Sequence, residues 1–423
     1  MKILRVSFAQ ATALWTRIQP QIGLAARNVF RQRRRSAFGV VSVGAGVIAL
    51  LLAAGFIEWN FWAMREGAIR SRIGHVQVVR SGFFEQGTAD PFKFLLPDDS
   101  RLLAVVAQEP GVATLAPRLA FTGLIALGDS TLSFLGEGME PDKEAAFGFG
   151  FTIRSGSSLS SSAPTGVIVG HGLALNLGVK AGDAITLLSN TRDGGINGVD
   201  AVVRGTFSTD TNTYDDVTIR VPLGLAQRLV RTNRTHSWVL LLHETGDTDR
   251  VVTALAKKLA PLGLQAVPWH ELADFYKKTV SLFSKQVGLM KLIIGLIIML
   301  SIVNTLMSAV IERTGEIGTN MALGVPRGAI LRQFLLEGAM IGMVGGLAGV
   351  AFGWILALSI SAIGIPMPPP PGMSQGYIGE IRVTAGLALD AFVLAIFTTL
   401  AAAAYPAWRA SRLEIVDALR HNR

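Results

Sequence analysis

The chain has 423 residues, of which 50% are hydrophobic and 16% are charged, and its mean hydropathy is +0.44. This composition excludes an ordinary soluble domain, in which about 25% of the residues are charged. The lack of cysteine excludes disulfides and thiolate metal sites, and the net charge of +9 does not indicate nucleic-acid binding, because the arginines cluster beside apolar segments.

Four segments are long and apolar enough to cross the membrane, since about 20 residues span ~30 Å of hydrocarbon. In chain order the predicted parts are a basic, amphipathic N-terminal segment 1–36, span one 37–57, a large domain 58–286, span two 287–311, a loop 312–334, span three 335–363, a short loop 364–384, span four 385–406 and a tail 407–423. Pro406 is expected to end the fourth span. Lys291, near the start of span two, is expected to reach the membrane interface.

Basic residues set the predicted orientation. Arginines precede span one, occupy the 312–334 loop and follow span four, whereas the short 364–384 loop carries only Arg382. By the positive-inside rule, both termini and the 312–334 loop are cytoplasmic, and residues 58–286 lie outside.

The large external segment has an α+β pattern. Predicted strands alternate with predicted helices. The strands are Val76–Val79, Thr131–Leu135, Val167–Val169, Ala184–Leu188, Val202–Thr206, Val217–Val221 and Trp238–Leu242; the helices are Arg101–Gln108, Gly224–Val230 and Val251–Leu259. The serine-rich stretch Ser155–Ser162 is interpreted either as a linker between two lobes or as a loop.

A search for catalytic and metal-binding motifs indicates that the external domain binds or pushes rather than catalyses. His270 and Glu271 begin a zinc-protease pattern, but Asp274 stands where its second histidine is needed. The sequence also lacks a phosphate-binding loop, so any nucleotide energy must come from another polypeptide.

A charged loop between spans two and three is too polar for lipid and is patterned as a short helix. Its sequence is Glu312-Arg-Thr-Gly-Glu-Ile-Gly-Thr-Asn-Met-Ala-Leu-Gly324, and we expect Ile317, Met321 and Leu323 to lie near one another. A helix in this position can transmit force between the membrane part and a soluble partner.

Span three contains two ladders of glycine at four-residue spacing. The ladders are Gly338, Gly342 and Gly346, and Gly345, Gly349 and Gly353. Small residues let helix backbones approach closely, so we expect this span to pack inside a helix bundle.

Aromatic residues flank the expected emergence of spans one and two from the membrane. They are Phe56, Trp59, Phe61 and Trp62 on one side, and Phe275, Tyr276 and Phe283 on the other. One interpretation is an opening for substrate; the other is an interfacial aromatic belt.

The Glu312–Gly324 run resembles the cytoplasmic signature of MacB/FtsX-type ABC transporter permeases, whose usual form is close to E-R-T/R-x-E-I-G-x-x-x-A-L-G. The ending Tyr405–Arg420 is similar to the family's P-A-x-x-A-x-x-x-x-P-x-x-A-L-R, with Ile415 or Val416 where the second proline is common. Gly23–Asn28 is similar to the family's first segment. In the external domain Gly74–Val78, Leu177–Asp183 and Gly205–Thr209 resemble Lol-type lipoprotein-releasing permeases.

The resemblance implies a membrane subunit, not an enzyme, in the bacterial inner membrane. It implies a homodimer or heterodimer of permease chains above two copies of a separate ATPase, which binds ATP and Mg. The 312–324 helix would couple the two: Ile317, Met321 and Leu323 would fill an apolar groove of the ATPase, and Glu312, Arg313 and Glu316 would form charge pairs at its rim. Gly318 and Gly324 belong to the same motif.

The resemblance leaves three functions open. The leading hypothesis is release of lipoproteins, or of another lipophilic envelope substrate, to a periplasmic carrier. The alternatives are a MacB-type subunit that exports small amphipathic molecules or peptides with a periplasmic adaptor, and an FtsX-type regulator of a cell-wall hydrolase.

Overall fold

A computed structural model of the chain describes residues 33–87, 91–148, 151–209, 212–368 and 376–420. The family-like segment Gly23–Asn28 and the basic residues before Arg33 lie outside the described residues. The chain divides into two compact units, here called the membrane unit and the α+β unit. The membrane unit is Met1–Asn60, Ser281–Ile365 and Ile378–Arg423, and the α+β unit is Phe61–Val280 and Pro366–Tyr377.

The helices and strands are numbered in chain order. The helices are α1 (Arg33–Ala68), α2 (Phe83–Gln86), α3 (Ser100–Ala107), α4 (Pro141–Ala145), α5 (His171–Leu177), α6 (Asn212–Asp215), α7 (Leu223–Val230), α8 (Thr248–Leu259), α9 (Trp269–Leu272), α10 (Asp274–Glu312), α11 (Thr314–Ala322), α12 (Arg327–Ile363), α13 (Ala385–Ser411) and α14 (Ile415–Arg420). The strands are β1 (Val76–Arg80), β2 (Val112–Leu127), β3 (Ser130–Met139), β4 (Thr152–Gly156), β5 (Gly166–Gly170), β6 (Ala184–Asn190), β7 (Ile196–Ser208), β8 (Thr218–Pro222), β9 (Ser237–Leu242), β10 (Leu264–Pro268), β11 (Ile365–Met367) and β12 (Tyr377–Gly379).

Four helices among the described residues are long and apolar enough to cross a membrane, as predicted: α1, α10, α12 and α13. Each contains one predicted span and extends beyond it. The expectation that Pro406 ends the last helix is wrong, because α13 continues through Pro406 to Ser411. Proline removes one backbone donor, and the buried Ala403 and Ala407 beside it keep this part of the helix packed.

Both glycine ladders of α12 face helices of the same chain. A Cβ at Gly338 would lie 2.5 Å from Ala403 of α13, and one at Gly346 would lie 2.9 Å from the Phe392 ring. Gly342 faces Thr399 of α13. On the other side of α12, a Cβ at Gly349 would lie 2.7 Å from Val47 and one at Gly353 would lie 2.9 Å from Leu51, both in α1; Gly345 faces Val43 there. Any side chain on these faces would separate the helices.

The α+β unit is built on one ten-stranded sheet. Its order is β10-β1-β9-β2-β3-β8-β5-β7-β4, and β6 pairs with β2 and β7. The β3–β8 and β5–β7 pairs are parallel and the other pairs are antiparallel. One core lies under α5 and α7 around Leu173 and Leu229, and another under α3 and α8 around Val106 and Leu255.

The seven predicted strands and three predicted helices are present, with ends shifted by a few residues. Sequence reasoning missed β2, β4 and β10. The two-lobe interpretation of Ser155–Ser162 is wrong, because β4, which contains the first two residues of the stretch, and β5, which follows it, both pair with β7 in the same sheet. The stretch connects neighbouring parts of one domain.

Candidate functional site

The charged loop after span two forms the helix α11, whose inner face packs against its own chain. Ile317 is 6% exposed and Met321 is 7% exposed. They lie in a cluster with Phe334 of α12 and Ala407 of α13. The expectation that these two side chains fill a partner's groove is therefore corrected: they fasten α11 to the membrane helices.

Further contacts hold α11 against the other helices of the membrane unit. Arg313 Nη1 donates to Glu337 Oε1 of α12 over 3.0 Å, and both side chains are buried. This replaces the expected rim position of Arg313. A Cβ at Gly318 would lie 2.6 Å from the Cβ of Ala418, so the glycine lets α14 approach α11 closely. Gly324 ends the segment with φ +93°, a conformation that disfavours other residues.

The outer face of α11 carries the residues that a soluble partner can reach. Leu323 is 80% exposed, and Glu312 and Glu316 are exposed too. Glu312 forms an ion pair with Arg35 of α1. Val325, which sequence reasoning did not select, is exposed two residues after Leu323. The surface that a partner can reach is therefore a small apolar patch, Leu323 with Val325 near it in sequence, together with acidic side chains.

Leu323 is exposed while Ile317 and Met321 are buried, and the reason is helix geometry. Residues four apart on a helix lie on one face, as Ile317 and Met321 do, whereas residues two apart point in opposite directions. Met321 and Leu323 are two apart, so one is buried when the other is exposed.

Sequence reasoning did not pair the charged residues of the membrane unit. Besides Arg35–Glu312 and Arg313–Glu337, the Lys291 ammonium of α10 forms an ion pair with Asp390 of α13. Lys291 is thus paired with another helix instead of only reaching the interface. The available signal was position: Lys291 and Asp390 both lie near the outer ends of their predicted spans, and Arg313 and Glu337 near the inner ends.

Only two of the seven aromatic residues of the predicted opening line the same cavity. Phe275 and Tyr276 line a cavity of about 710 Å³ inside the α+β unit. Tyr276 packs edge-on to Trp269, with ring centroids 5.2 Å apart. Phe56, Trp59, Phe61, Trp62 and Phe283 are not among the lining residues. Of these five, Trp59 is buried and the others are half-buried or exposed.

The cavity wall is mostly apolar, with one charged side. Met64, Phe83, Phe84 and Leu119 supply apolar surface, and Arg118, Glu137 and Asp274 supply the charges. Such a cavity suits a ligand with an apolar body and a polar end.

The charged side belongs to a network of buried ion pairs. Arg118 binds both carboxylate oxygens of Glu144, over 2.7 and 2.8 Å, and Arg220 lies 3.3 Å from Glu137. Burial is the largest single influence on the pKa of Arg118 and acts to lower it, but Glu144, Glu137 and Tyr214 together raise the pKa. Burial likewise acts to lower the pKa of Arg220, and Glu137 and Tyr214 together raise it. Both guanidinium groups therefore remain charged inside the domain.

A buried polar chain joins the end of α1 to the sheet. His75 Nδ1 accepts from Leu242 N–H over 3.1 Å, so Nε2 carries the proton and donates to Thr245 Oγ1, also 3.1 Å away. The Thr245 hydroxyl donates to the Glu66 carboxylate. Burial lowers the pKa of His75 from 6.5 to about 4, against the attraction of Glu66, and the ring is neutral at pH 7. These hydrogen bonds hold Glu66 in place against the sheet within the α+β unit.

Among the residues that the structure describes, no group of three or more histidine, aspartate or glutamate side chains could hold a metal ion. The arrangement of both candidate sites suits binding and transmission of force.

Comparison with known proteins identifies two family domains. Residues 36–258 match the MacB-like periplasmic core domain, and residues 288–415 match the FtsX-like permease C-terminal domain. Together they overlap all four long helices and cover most of the α+β unit.

Two of the individual relatives come from different kinds of system. The chain is 26% identical over 350 residues to the lipoprotein-releasing system transmembrane protein LolC of Xylella fastidiosa, covering 77% of this chain and 81% of that protein. It is 26% identical over 405 residues to the macrolide export ATP-binding/permease protein MacB of Rhodospirillum rubrum, covering 93% of this chain and 58% of that protein. The crystal structure of the periplasmic region of MacB from Actinobacillus actinomycetemcomitans superposes with a TM-score of 0.37 at 11% identity, covering 50% of this chain and 95% of that one.

Proposed function

The chain belongs to the MacB/FtsX superfamily of ABC transporter permeases, and we propose that it couples ATP hydrolysis in a separate partner chain to movement of its extracytoplasmic domain. In this proposal ATP and Mg are bound by two ATPase subunits, and two permease chains form the membrane part. The protein sits in the bacterial inner membrane with both termini in the cytoplasm.

The packing of α11 is the observation that carries the proposal. A helix held only by a flexible loop would move without moving the bundle. Here Ile317 and Met321 are buried against α12 and α13, and Arg313 pairs with Glu337 of α12. Because packed interiors resist deformation, force applied to the outer face of α11 displaces both membrane helices.

The ATPase would therefore dock on the outer face, at Leu323 with Glu312 and Glu316 beside it. Burying a leucine side chain contributes roughly 1.5–3 kcal/mol, enough to change affinity ten-fold or more. The acidic side chains would set orientation and association rate more than affinity.

For the substrate we propose a lipoprotein or another lipophilic envelope molecule. The 710 Å³ cavity lined by Phe275, Tyr276 and Met64 offers apolar surface for such a molecule. The LolC relative, named for a lipoprotein-releasing system, covers 77% of this chain. A periplasmic carrier would then receive the released molecule.

The second candidate is export of a small amphipathic molecule with a periplasmic adaptor. The MacB-like core match over residues 36–258 and the MacB relative covering 93% of the chain favour it. An apolar cavity with a charged side fits this substrate class too.

Reconstitution separates the candidates. The permease is purified with its co-purifying ATPase, placed in nanodiscs with a triacylated lipoprotein, and given ATP and a soluble carrier. ATP-dependent transfer of the lipoprotein to the carrier supports release. Transfer that proceeds equally without ATP contradicts ATP-driven lipoprotein release. If no lipoprotein is transferred and an adaptor stays stably bound, the result favours export. Co-purification of a cell-wall hydrolase favours regulation.

A further inference from the structure

A second cavity, in another part of the α+β unit, is lined by four arginines. Its volume is about 610 Å³. Arg192 comes from the β6–β7 turn, Arg228 from α7, and Arg231 and Arg234 from the segment that follows α7. Asp98 is the single carboxylate among the lining residues. We propose that this arginine pocket binds a compact anion that carries phosphate groups.

The four guanidinium groups are not occupied by carboxylates. None of them forms an ion pair within the described parts of the chain, and the side chain of Arg228 makes only a long hydrogen bond of 3.4 Å, to the backbone oxygen of Pro164, among the described residues. Like charges brought together repel one another, so a cluster without counter-charges favours an anionic ligand. This sets the pocket apart from the buried Arg118 and Arg220, which have partners inside the domain.

Arginines near the end of a helix often serve to cap it, but α7 is already capped by neutral donors. The carbonyl of Gln227 accepts from Thr232 N–H, and that of Val230 accepts from Arg192 N–H. The side-chain amide of Asn197 donates to the carbonyls of Arg228 and Leu229, over 3.0 Å each. These bonds satisfy the last four carbonyls of the helix, which leaves the guanidinium groups available for another role.

The backbone at the pocket is also unusual. Arg231 has φ +54° and ψ +55°, the left-handed conformation, and is the one non-glycine residue with positive φ among those described. Glycine or asparagine is the ordinary residue at this position after a helix. An arginine here is held in a disfavoured conformation, as occurs where a side chain has to point to a ligand.

Phosphate fits this arrangement better than a single carboxylate. Guanidinium groups bind phosphate oxygens through paired, charge-assisted hydrogen bonds, and four of them suit a ligand with two or more negative charges. The concave shape and a volume within the range of small-molecule sites favour a compact ligand. The same chemistry is present in a soluble phosphorylated compound and in a phospholipid headgroup.

The test uses the full-length protein in nanodiscs of neutral phosphatidylcholine. Calorimetric titration with inorganic pyrophosphate measures the soluble source. Native mass spectrometry after exposure to phosphatidylglycerol, with phosphatidylcholine as the reference, measures the lipid source. The double variant Arg228→Gln/Arg234→Gln is compared with Arg250→Gln/Lys257→Gln, which removes the same charge from exposed positions of α8.

We expect pyrophosphate or phosphatidylglycerol binding that weakens at least about ten-fold in the pocket variant and less than about two-fold in the α8 variant. Asp98→Asn should have the opposite sign and tighten binding. Saturable binding of either probe with this pattern supports the pocket, and the probe that binds identifies the source. No binding of either probe, or equal weakening in both double variants, overturns the proposal.

Discussion

The buried guanidinium of Arg313 binds the buried carboxylate of Glu337 over 3.0 Å and so joins the start of α11 to α12. Arg313 belongs to the 312–324 motif, and Glu337 belongs to the long apolar helix α12. A charge pair in this position is a rigid link, because separating it would leave ions in a medium that solvates them poorly.

Glu337→Gln should destabilise the membrane unit. It removes the carboxylate charge beside the buried Arg313, and such changes typically cost about 3–5 kcal/mol. The double variant Arg313→Met/Glu337→Leu should recover much of the loss, since apolar side chains of similar size can replace a buried pair. Thermal unfolding in detergent measures both. Glu312→Gln, which affects the exposed pair with Arg35, should change stability by about 0.5 kcal/mol or less; an equal loss there would contradict the special role of Glu337.

Alanine substitutions in the glycine ladders should lower the free energy of unfolding, whereas an alanine at an open glycine position should not. Gly342→Ala meets Thr399 and Gly349→Ala meets Val47, so each should cost about 1–3 kcal/mol. Gly288→Ala meets nothing within 4 Å and should be neutral or slightly stabilising. Because both ladders face helices of the same chain, unfolding of the monomer is the measurement. Unchanged stability in all three variants would show that α12 is not closely packed.

Acid should weaken the α+β unit through His75. Its pKa is about 4 in the folded protein and 6.5 when exposed, so the unfolded chain binds more protons between these values. Stability is therefore unaffected above pH 6.5 and falls by about 3 kcal/mol as the pH drops to 4. Fluorescence-detected urea unfolding of the protein in nanodiscs, repeated from pH 7.5 to 4.5, measures how steeply the free energy of unfolding falls with pH.

The slope should become shallower in His75→Asn and stay unchanged in His243→Asn, which alters an exposed histidine of the same unit. His75→Asn lowers stability at every pH by loss of its hydrogen bonds, so the slope and not the level decides. If the free energy of unfolding falls as steeply with pH in His75→Asn as in the unmodified protein, other titratable groups cause the acid sensitivity.

Topology can be tested directly because the chain has no cysteine. Ser161→Cys in the α+β unit should react with an impermeant thiol reagent in intact spheroplasts, and Asn320→Cys on α11 should react only after lysis. Both positions are exposed. Labelling of Asn320→Cys from outside would reverse the orientation.

The membrane helices were predictable because spanning hydrocarbon imposes a length and a composition that few other segments meet. The helix α11 was predictable as an element, but its buried face was not assigned correctly, because the helical pattern was taken to place Leu323 beside Ile317 and Met321. The alternation of directions on a helix separates them. The pairing of Glu337 with Arg313 depends on which helices are neighbours, and no local pattern specifies that.

In the α+β unit, short strands rich in valine and isoleucine were predictable, whereas the longest strand was not. Pro117 and Gly123 interrupt the pattern of β2, yet it pairs with β9, β3 and β6. Propensity disfavours both residues in strands, and tertiary pairing overrides it here. The arginine pocket likewise combines residues from separate segments, so only the fold brings them together.

The central claim is that an ATPase docks on the outer face of α11, and one substitution tests it directly. Leu323→Asp places a charge at the exposed apolar point and should leave the fold intact, whereas Ile317→Asp should reduce the amount of folded protein, because Ile317 is buried. Leu175→Asp, at an exposed leucine of α5, is the matched control.

The measurement is co-purification of the ATPase and ATP hydrolysis by the complex in nanodiscs. We predict that Leu323→Asp, folded as judged by its unfolding temperature, retains at most about one tenth of the bound ATPase and of the substrate-stimulated hydrolysis, while Leu175→Asp retains both. If Leu323→Asp holds its ATPase as tightly as Leu175→Asp does and still couples hydrolysis to substrate release, α11 is not the docking element.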